Sequence, residues 1–318
     1  MIRTPVPVAS VAAAVGVAIG ISGLIVAVAR LAAPLSADAD TLGELAGPAW
    51  SACTLAFAAA FILRRTWTTL TLLLALCALT LACGLSLPKS EPASPGSAAL
   101  RVYFVNLNNE NGRIDEIARS IREARPEVVA IAEYSDLHAR ASDRLFAGLP
   151  YRLTGRPNPH FPWRPRAFIA SRYPLSPLRD AYGGSYQNLA ATIASPAGPT
   201  RVVLIHLTRP WPFRPRGELE AQLNTLARRV EAAGPARLLL VGDFNATAGS
   251  ARMRRFSRRT GLKPARAVIG DWPAMLAAPF RIAIENGFTR GGLSIRTRTL
   301  GRSNGSDHRP VVVEVVTR

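Results

Sequence analysis

The chain has 318 residues, of which 48% are hydrophobic and 19% are charged, and its formal net charge is +18. The high apolar content excludes a disordered or collagen-like chain, and three cysteines are too few for a disulfide-stabilised scaffold. The charge is divided unevenly: residues 1–88 hold four basic and three acidic residues (+1), and residues 89–318 hold 35 basic and 18 acidic residues (+17). The sequence therefore predicts an apolar N-terminal segment followed by a basic domain.

Three long runs without a charged side chain lie in the apolar segment, at about residues 5–29, 45–63 and 66–88. Because about 20 apolar residues cross the hydrocarbon core as a helix, each run is long enough to span a membrane. A cleaved signal peptide is the alternative for the first run, but this run is longer than the apolar core of such a peptide and two more runs follow it. Residues 1–88 are therefore predicted to be a membrane anchor with three transmembrane helices.

The charges in the short connections predict how these helices are oriented. Arg64 and Arg65 should be cytoplasmic because basic connections stay on that side, whereas segment 30–44 carries three acidic residues. With the N-terminus inside and three crossings, we expect a multi-pass protein of the bacterial cytoplasmic (inner) membrane with its basic domain on the extracytoplasmic side. The absence of cysteine from residues 84–318 fits an oxidising compartment. Segment 89–97, rich in Pro, Ser and Gly, is predicted to be the linker to this domain.

Residues 98–318 alternate between strand-like and helical patterns. Short apolar runs predict strands, and segments with apolar residues at helical spacing predict helices between them. The predicted strands are 101–105, 128–132, 167–170, 201–205, 237–241 and 311–316, and the predicted helices are 114–121 and 219–230. Such an alternation indicates an α/β domain with a packed sheet.

Polar side chains stand at or beside the ends of these strands, where a sheet presents side chains to a cleft. Each of them alone is more typical of a turn or a helix cap. Together their carboxylates and amides, without cysteine, suit Mg²⁺ or Mn²⁺, and their imidazoles suit proton transfer or charge stabilisation at a phosphate. We therefore expect phosphoester hydrolysis. The residues are Asn106, Glu133, His206, Asp243, Asn245, Asp307 and His308.

Two motifs in this set are specific in their order and spacing, Gly-Asp-Phe-Asn at 242–245 and Ser-Asp-His-Arg-Pro at 306–310. With weaker stretches at 102–108, 131–133, 168–175 and 203–207, residues 98–318 resemble the endonuclease/exonuclease/phosphatase superfamily, and the apolar segment resembles that of bacterial membrane-anchored members. The superfamily includes pancreatic deoxyribonuclease, abasic-site endonucleases, inositol polyphosphate phosphatases and bacterial sphingomyelinases. The resemblance implies a two-sheet α/β sandwich as the catalytic domain.

The resemblance also implies a divalent metal, Mg²⁺ or Mn²⁺, and a set of ligands for it. Glu133 would be the principal metal ligand. Asn106 and Asp307 would complete or support the metal shell. Asp243 would position or deprotonate the attacking water.

Three further residues are implied to act on the phosphate. Asn245 would orient it, His206 would donate to it in the transition state, and His308 would hydrogen-bond the phosphate or the water. One element departs from the family pattern, because Glu285-Asn286 stands where relatives carry an aspartate that orients the catalytic histidine. Glu285 keeps the carboxylate on a stem one methylene longer, so we expect it to orient His308 with looser geometry.

Arginine dominates the basic domain, with 33 of the 35 basic residues in 89–318. Guanidinium groups suit phosphate partners, so we expect a phosphoester substrate, nucleic acid or an anionic lipid, besides the membrane, and we predict no protein partner. Segments 161–166 and 209–216 mix arginine with proline and aromatics and can form a rim that stacks on bases or enters a bilayer. The alternative explanation of the same composition is a coding bias towards arginine. The arginine clusters are Arg164/Arg166, Arg209/Arg214/Arg216, Arg252/Arg254/Arg255/Arg258/Arg259 and Arg296/Arg298/Arg302.

The sequence favours a membrane-anchored, divalent-metal-dependent phosphodiesterase or endonuclease that acts outside the cytoplasm. One alternative is a phosphodiesterase or phosphatase of lipid head groups, since a tethered enzyme meets lipid at high effective concentration. The other is a catalytically degenerate, arginine-rich envelope protein that binds polyanions, an alternative motivated by Glu285-Asn286.

Overall fold

The computed structural model describes residues 8–85, 99–157, 166–178, 182, 188–196, 198–210 and 217–317. The predicted linker and most of the two segments that mix arginine with proline and aromatics lie outside the described residues. The chain divides into two compact units. The first consists of Met1–Leu87, Gly249–Arg252 and Ala277–Ile282, and the second of Pro88–Ala248, Met253–Leu276 and Ala283–Arg318.

The described part of residues 1–87 in the first unit forms four α-helices: α1 (Val8–Ala32), α2 (Ala37–Gly43), α3 (Ala46–Ile62) and α4 (Thr66–Gly84). Helices α1 and α4 are each long and apolar enough to cross a membrane, whereas α2 and α3 qualify only together, with a bend of 45° between them. The prediction of three similar spans is thus only partly met. Pro48 contributes to the break, because proline is tolerated in the first turn of a helix but not in its interior, so that α3 begins two residues before it.

Small residues let the apolar helices approach closely. A Cβ atom added at Gly16 of α1 would stand 2.5 Å from Thr68 Cγ2 of α4, and one added at Gly20 would stand 2.9 Å from Thr71 Cγ2. Close approach through small residues is how apolar helices associate where water does not drive them together. The N-terminal unit is therefore a packed bundle, with a core that includes Cys53, Leu72 and Leu79.

The second unit is built on two six-stranded sheets. The strands in chain order are β1 (Ala99–Asn106), β2 (Val128–Tyr134), β3 (Tyr151–Thr154), β4 (Arg166–Ser171), β5 (Leu175–Pro177), β6 (Leu189–Ser195), β7 (Gly198–His206), β8 (Leu238–Asp243), β9 (Lys263–Pro264), β10 (Glu285–Arg290), β11 (Leu293–Leu300) and β12 (Val311–Thr317). The first sheet has the order β11-β12-β1-β2-β4-β3, and the second has the order β5-β6-β7-β8-β10-β9.

Each sheet has one parallel pair at its centre and antiparallel strands around it. In the first sheet β1 and β2 are parallel, and in the second β7 and β8 are parallel. Alternate residues of these strands face opposite sides, so Val102 and Phe104 of β1 join a core with Leu239 and Val241 of β8 between the two sheets. The sequence-based prediction of a two-sheet α/β sandwich is confirmed.

Helices cover the outer face of each sheet. The described helices of this unit are α5 (Ile114–Ala124), α6 (Asp136–Arg140), α7 (Ser142–Leu145), α8 (Glu218–Ala232) and α9 (Ala251–Thr260), the last continuing from residues 251 and 252 of the first unit; a short 3-10 helix (Ala278–Phe280) belongs to the first unit. The apolar face of α5 packs on the first sheet, and those of α8 and α9 pack on the second. The predicted helices at 114–121 and 219–230 are confirmed as α5 and α8.

Candidate active site

The two parallel pairs bring polar side chains to one end of the sandwich. Asn106 ends β1, and Asp243 ends β8. The Nδ2 atom of Asn106 donates to Oε1 of Glu133 in β2 at 2.9 Å and lies 3.3 Å from Oδ2 of Asp243 in the other sheet. Because carboxyl ends of parallel strands meet at one edge, the two pairs together create a site that neither sheet provides alone.

Two backbone features aim the carboxylates into this site. Gly242 has φ +130°, and a Cβ atom there would stand 2.1 Å from the carbonyl oxygen of Ile205, so only glycine fits immediately before Asp243. Glu133 has φ +56° at a β-bulge between Ile131 and Tyr134. A non-glycine residue in the left-handed region is strained, and such strain clusters at functional sites.

The Asp243 carboxylate is the point on which the site converges. Its Oδ1 accepts the backbone N–H of Asn245 at 2.9 Å, and its Oδ2 lies 3.3 Å from the side-chain amide nitrogens of both Asn106 and Asn245. The Nε2 atoms of His206 and His308 lie 3.7 and 3.9 Å from the same oxygen. Four nitrogen groups therefore surround one buried carboxylate oxygen.

Glu285 contacts His308, as expected from the sequence, although its side chain is one methylene longer than that of aspartate. It begins β10 directly opposite Asp243, and its side chain is fully buried. Its Oε1 accepts the backbone N–H of Asn106 at 2.6 Å and lies 3.3 Å from Nδ1 of His308. Glu285 thus reaches the ring from the side opposite to Asp243.

Electrostatics favour a charged His308 and oppose a charged Glu285. Burial opposes the charge on His308, but the nearby carboxylates of Glu285, Asp243 and Asp307 outweigh it and raise the pKa of this histidine to about 10. Burial raises the pKa of Glu285, while His308 acts in the opposite direction. The surrounding carboxylates therefore favour the charged form of His308, whereas burial favours the neutral form of Glu285.

The loop before β12 holds Asp307 beside these groups. Oδ1 of Asp307 lies 3.3 Å from Nδ2 of Asn108, and its Oδ2 lies 3.3 Å from the indole nitrogen of Trp272. The Ser306 hydroxyl donates to the carbonyl of Asn106 at 2.7 Å, which ties this loop to the end of β1. Asn108, Ser306 and Trp272 were not predicted as site residues, although the first two lie in the stretches that carry the family resemblance.

Two sets of side chains in this site can hold a cation. Ligand atoms of Asp243, Glu285 and His308 lie within 4.8 Å of one another and form a buried acid and histidine group. The set expected from the sequence is a different one, Asn106, Glu133 and Asp307. The side chain of Glu133 is 23% exposed, its Oε1 accepts Asn106 Nδ2, and its Oε2 accepts the Asn109 N–H. Hard oxygen donors of both sets fit a divalent cation such as Mg²⁺ or Mn²⁺. Glu133 is the more open of the carboxylates, whereas Glu285 is already committed to His308.

Asn286, the second residue of the unusual Glu-Asn pair, supports a neighbouring loop. Its side-chain nitrogen donates to the carbonyl of Ala246 at 2.8 Å, just after the Gly-Asp-Phe-Asn motif, and Asn286 is buried. The pair is therefore integrated into the site by hydrogen bonds at both positions.

The basic surface is smaller than the arginine count suggests. Five arginines of the predicted clusters form ion pairs with carboxylates of the chain, so they are engaged in intramolecular contacts. These pairs are Arg166–Asp136, Arg252–Asp40, Arg259–Glu231, Arg298–Asp271 and Arg302–Glu123.

Solved structures of other proteins share this fold. An endonuclease/exonuclease/phosphatase from Beutenbergia cavernae is 20% identical with a TM-score of 0.53, covering 69% of this chain and 72% of its own. The TRAS1 endonuclease domain, from a telomere-specific non-LTR retrotransposon, is 16% identical with a TM-score of 0.54, at 69% and 99% coverage. TDP2 of D. rerio, solved with a single-strand DNA product, is 13% identical with a TM-score of 0.55, at 69% and 100% coverage.

At such identities the likeness shows the fold alone, and no curated protein sequence matches the chain. The family profile is more decisive. The profile described as Endonuclease/Exonuclease/phosphatase family matches residues 103–308, which is more than half of the chain and includes every site residue expected from the sequence. The chain belongs to the endonuclease/exonuclease/phosphatase family, whose members are typically phosphoester hydrolases.

Proposed function

We propose that the chain is a membrane-anchored, divalent-metal-dependent phosphodiesterase, most simply an endonuclease, that acts outside the cytoplasm. The observation that carries this proposal is the convergence of two amides and two imidazoles on Oδ2 of Asp243, beside the half-open carboxylate of Glu133. This arrangement offers hydrogen-bond donors to a phosphate and an acceptor to a water molecule within one small volume.

In the proposed site Glu133, Asn106 and Asp307 would hold the metal ion. When bound, the ion polarises a phosphoryl oxygen and neutralises charge that develops on the phosphate. Asn106 contributes from a fixed position because its backbone N–H is held by Glu285 and its carbonyl by Ser306.

Asp243 accepts a hydrogen bond from the attacking water and takes its proton as the water oxygen bonds to phosphorus. His206 and Asn245 donate to the non-bridging oxygens, and Asn245 is held for this by its contact with the Leu207 carbonyl at 2.8 Å. As the bond between phosphorus and the leaving oxygen breaks, charged His308, supported by Glu285, gives a proton to that oxygen. Proton exchange with solvent then returns Asp243 and His308 to their starting states.

Nucleic acid is the substrate class that we propose first. The similar structures include an endonuclease domain and a protein solved with a DNA product, and the arginine-rich composition fits a polyanion.

A buried ion pair of the first unit supports three crossings of the membrane. Asp40, in the connection between α1 and α3, accepts hydrogen bonds from the backbone N–H groups of Ala251 and Arg252 and from Nε of Arg252, at 2.6, 2.9 and 2.8 Å. This connection and residues 251 and 252 must therefore lie on one side of the membrane. If only α1 and α4 crossed, the connection and the chain that follows α4 would lie on opposite sides. We propose that the bent pair of α2 and α3 forms the third span, with Asp40 of α2 at the end of this span that faces residues 251 and 252.

With Arg64 and Arg65 on the cytoplasmic side, three crossings leave the catalytic domain outside, in a bacterial inner membrane. A C-terminal alkaline phosphatase fusion tests this: activity of the fused reporter supports the topology. An inactive phosphatase fusion together with a fluorescent C-terminal green fluorescent protein fusion would contradict it.

A second candidate, hydrolysis of lipid head groups, is favoured by an exposed apolar segment of the second unit. The segment flanks Trp272, whose indole donates to Asp307 in the site. Apolar side chains at such a position can enter a bilayer around an anionic head group. The exposed side chains are Val268, Ile269, Met275 and Leu276.

The decisive test uses the full chain in lipid nanodiscs, with Mg²⁺, with Mn²⁺ or with a chelator. The substrates are plasmid DNA, single-stranded DNA, RNA, a chromogenic phosphodiester and liposomes containing phosphatidylglycerol. Metal-dependent DNA cleavage that is lost in Asp243→Asn and His308→Ala, but kept in the exposed control Asp143→Asn, supports the first proposal. Preferred turnover of the liposomes selects the second candidate. Polyanion binding without turnover of any substrate overturns both in favour of a degenerate binding protein.

A further inference from the structure

A fully buried ion pair lies next to Glu285. Asp271 and Arg298 lie 2.7 Å apart, and their side chains are 0% and 3% exposed. A buried ion pair is costly to form, because both charges leave water, so its retention calls for a specific structural role.

Every described contact of the Asp271 carboxylate leads to Glu285 or to its neighbour. Its Oδ1 accepts the backbone N–H of Ile284 at 3.1 Å and that of Glu285 at 3.0 Å. Its Oδ2 accepts Nη2 of Arg298, and the same Nη2 donates to the carbonyl of Glu285 at 3.1 Å. The ion pair therefore forms hydrogen bonds with both the N–H and the carbonyl of Glu285.

Asp271 also holds the backbone next to His308, the partner of Glu285, through its own main-chain carbonyl. Its carbonyl accepts the N–H of Arg309 at 2.9 Å, the residue that follows His308. One residue thus fixes the backbone at Glu285 with its side chain and the backbone beside His308 with its carbonyl.

We infer that Asp271 and Arg298 are positioning residues that set the separation of Glu285 and His308. By holding the backbone of Glu285, they restrict the positions that its long side chain can adopt. Glutamate has one more rotatable bond than aspartate and needs more anchoring to hold a given carboxylate position. Here its N–H, its carbonyl and its Oε1 are all engaged, the last by Asn106. Groups behind a directly acting residue commonly control its geometry in this way.

The inference rests on the proposed function for its kinetic effect but not for its structural effect. The test therefore combines turnover with a spectroscopic measurement that needs no substrate. Full-length protein labelled with ¹⁵N at histidine contains only four such residues, so the imidazole N–H signals in nanodiscs are few. The signal of His308 is identified by its loss in His308→Gln.

The variants are Asp271→Asn, which keeps the size of the side chain, and Arg298→Lys, which keeps the charge. The matched control is Arg290→Lys, because Arg290 likewise clamps carbonyls, those of Val230, Gly234 and Thr260, away from the site. We expect both test variants to broaden or remove the His308 Nδ1–H signal and to lower kcat about 10- to 100-fold with little change in KM. Arg290→Lys should lower Tm but leave the signal and kcat unchanged.

Retention of the wild-type His308 signal in Asp271→Asn and Arg298→Lys, with a loss of Tm like that of the control, would overturn the inference. If the wild-type chain turns over none of the substrates, the proposed function fails, and the His308 signal alone decides on the positioning role. Absence of a protected Nδ1–H signal in the wild-type protein counts against the inference as well.

Discussion

Two buried charged clusters of this chain differ in how fully their polar atoms are satisfied. In the first unit, Asp40 accepts three hydrogen bonds of 2.6 to 2.9 Å, and its partner Arg252 also donates to the Ala37 carbonyl and the Thr41 hydroxyl. Both side chains of the pair are at most 2% exposed. This cluster is saturated and leaves little opportunity for a ligand.

The cluster at the end of the sandwich is buried as well but is under-satisfied. The imidazole nitrogens of His206 and His308 stand 3.7 and 3.9 Å from Asp243 Oδ2, too far for hydrogen bonds. Among the described residues, Oε2 of Glu285 and the Nδ1 atoms of His206 and His308 have no hydrogen-bond partner, and the last lies 3.3 Å from Oε1 of Glu285. Buried polar groups are almost always paired, so a group of unpaired ones indicates a place where ligand atoms bind. Burial of charge alone does not distinguish the two clusters, but satisfaction does.

The largest effect is expected where the under-satisfied cluster loses its central carboxylate. Asp243→Asn should lower kcat by about 10²- to 10⁴-fold, because the amide cannot accept a proton from water. Thermal unfolding of the variant should change little, because losing the charge that opposes Glu285 offsets losing the charge that stabilises His308. A large loss of Tm in Asp243→Asn, comparable with that of a core variant, would show that this cluster is structural.

The saturated cluster should respond in the opposite way. Asp40→Ala leaves Arg252 buried without its carboxylate and should cost about 3 to 5 kcal/mol of stability. Turnover per folded molecule should change little. The double variant Asp40→Leu/Arg252→Met removes both charges and should recover much of the loss. Denaturation in detergent measures these differences, and an unchanged midpoint for Asp40→Ala would contradict the structural role.

An effect of intermediate size is expected when a divalent metal ion is added. A cation that binds only the folded chain stabilises it by about 2.7 kcal/mol at 100 times its Kd. Mg²⁺ or Mn²⁺ should therefore raise Tm in the wild-type protein and in the control Glu314→Gln, and the shift should disappear in Glu133→Gln. A shift that survives in Glu133→Gln but is lost in Glu285→Gln would assign the ion to the buried group of Asp243, Glu285 and His308 instead.

The smallest effect concerns pH. If His308 acts as a donor, activity falls as pH rises through its pKa, and this pKa is raised to about 10 mainly because carboxylates outweigh the cost of burial. Activity should thus persist well above pH 6.5, the usual pKa of histidine, and decline as pH approaches 10. Glu285→Gln removes one of these carboxylates and should move the decline to lower pH. An identical alkaline limb in Glu285→Gln would exclude His308 as the group that titrates.

The strand ends and the motifs were predictable because they depend on local patterns. Apolar runs that end in a polar residue identify β1, β7 and β8. The parallel pairing of β7 with β8 places His206 beside Asp243, and Asn106 at the end of β1 contacts Asp243 from the other sheet. The Asp271–Arg298 pair had no such signal, since its members lie 27 residues apart. Asp271 lies in a loop and Arg298 in β11 of the first sheet, and only the packing of the two sheets brings them to Glu285 in the second. The broken third span also escaped prediction, because an apolar window does not report a bend.

The under-satisfied cluster is proposed to be the active site of a metal-dependent phosphoester hydrolase. The most direct test measures cleavage of DNA by the nanodisc-embedded full chain across a Mg²⁺ titration, comparing wild type with Asp243→Asn and Asp40→Asn. We expect cleavage that rises with Mg²⁺, is lost in Asp243→Asn and, per folded molecule, survives in Asp40→Asn. Cleavage that is equal in wild type and Asp243→Asn, or that is unaffected by a chelator, would show that this cluster is not the active site.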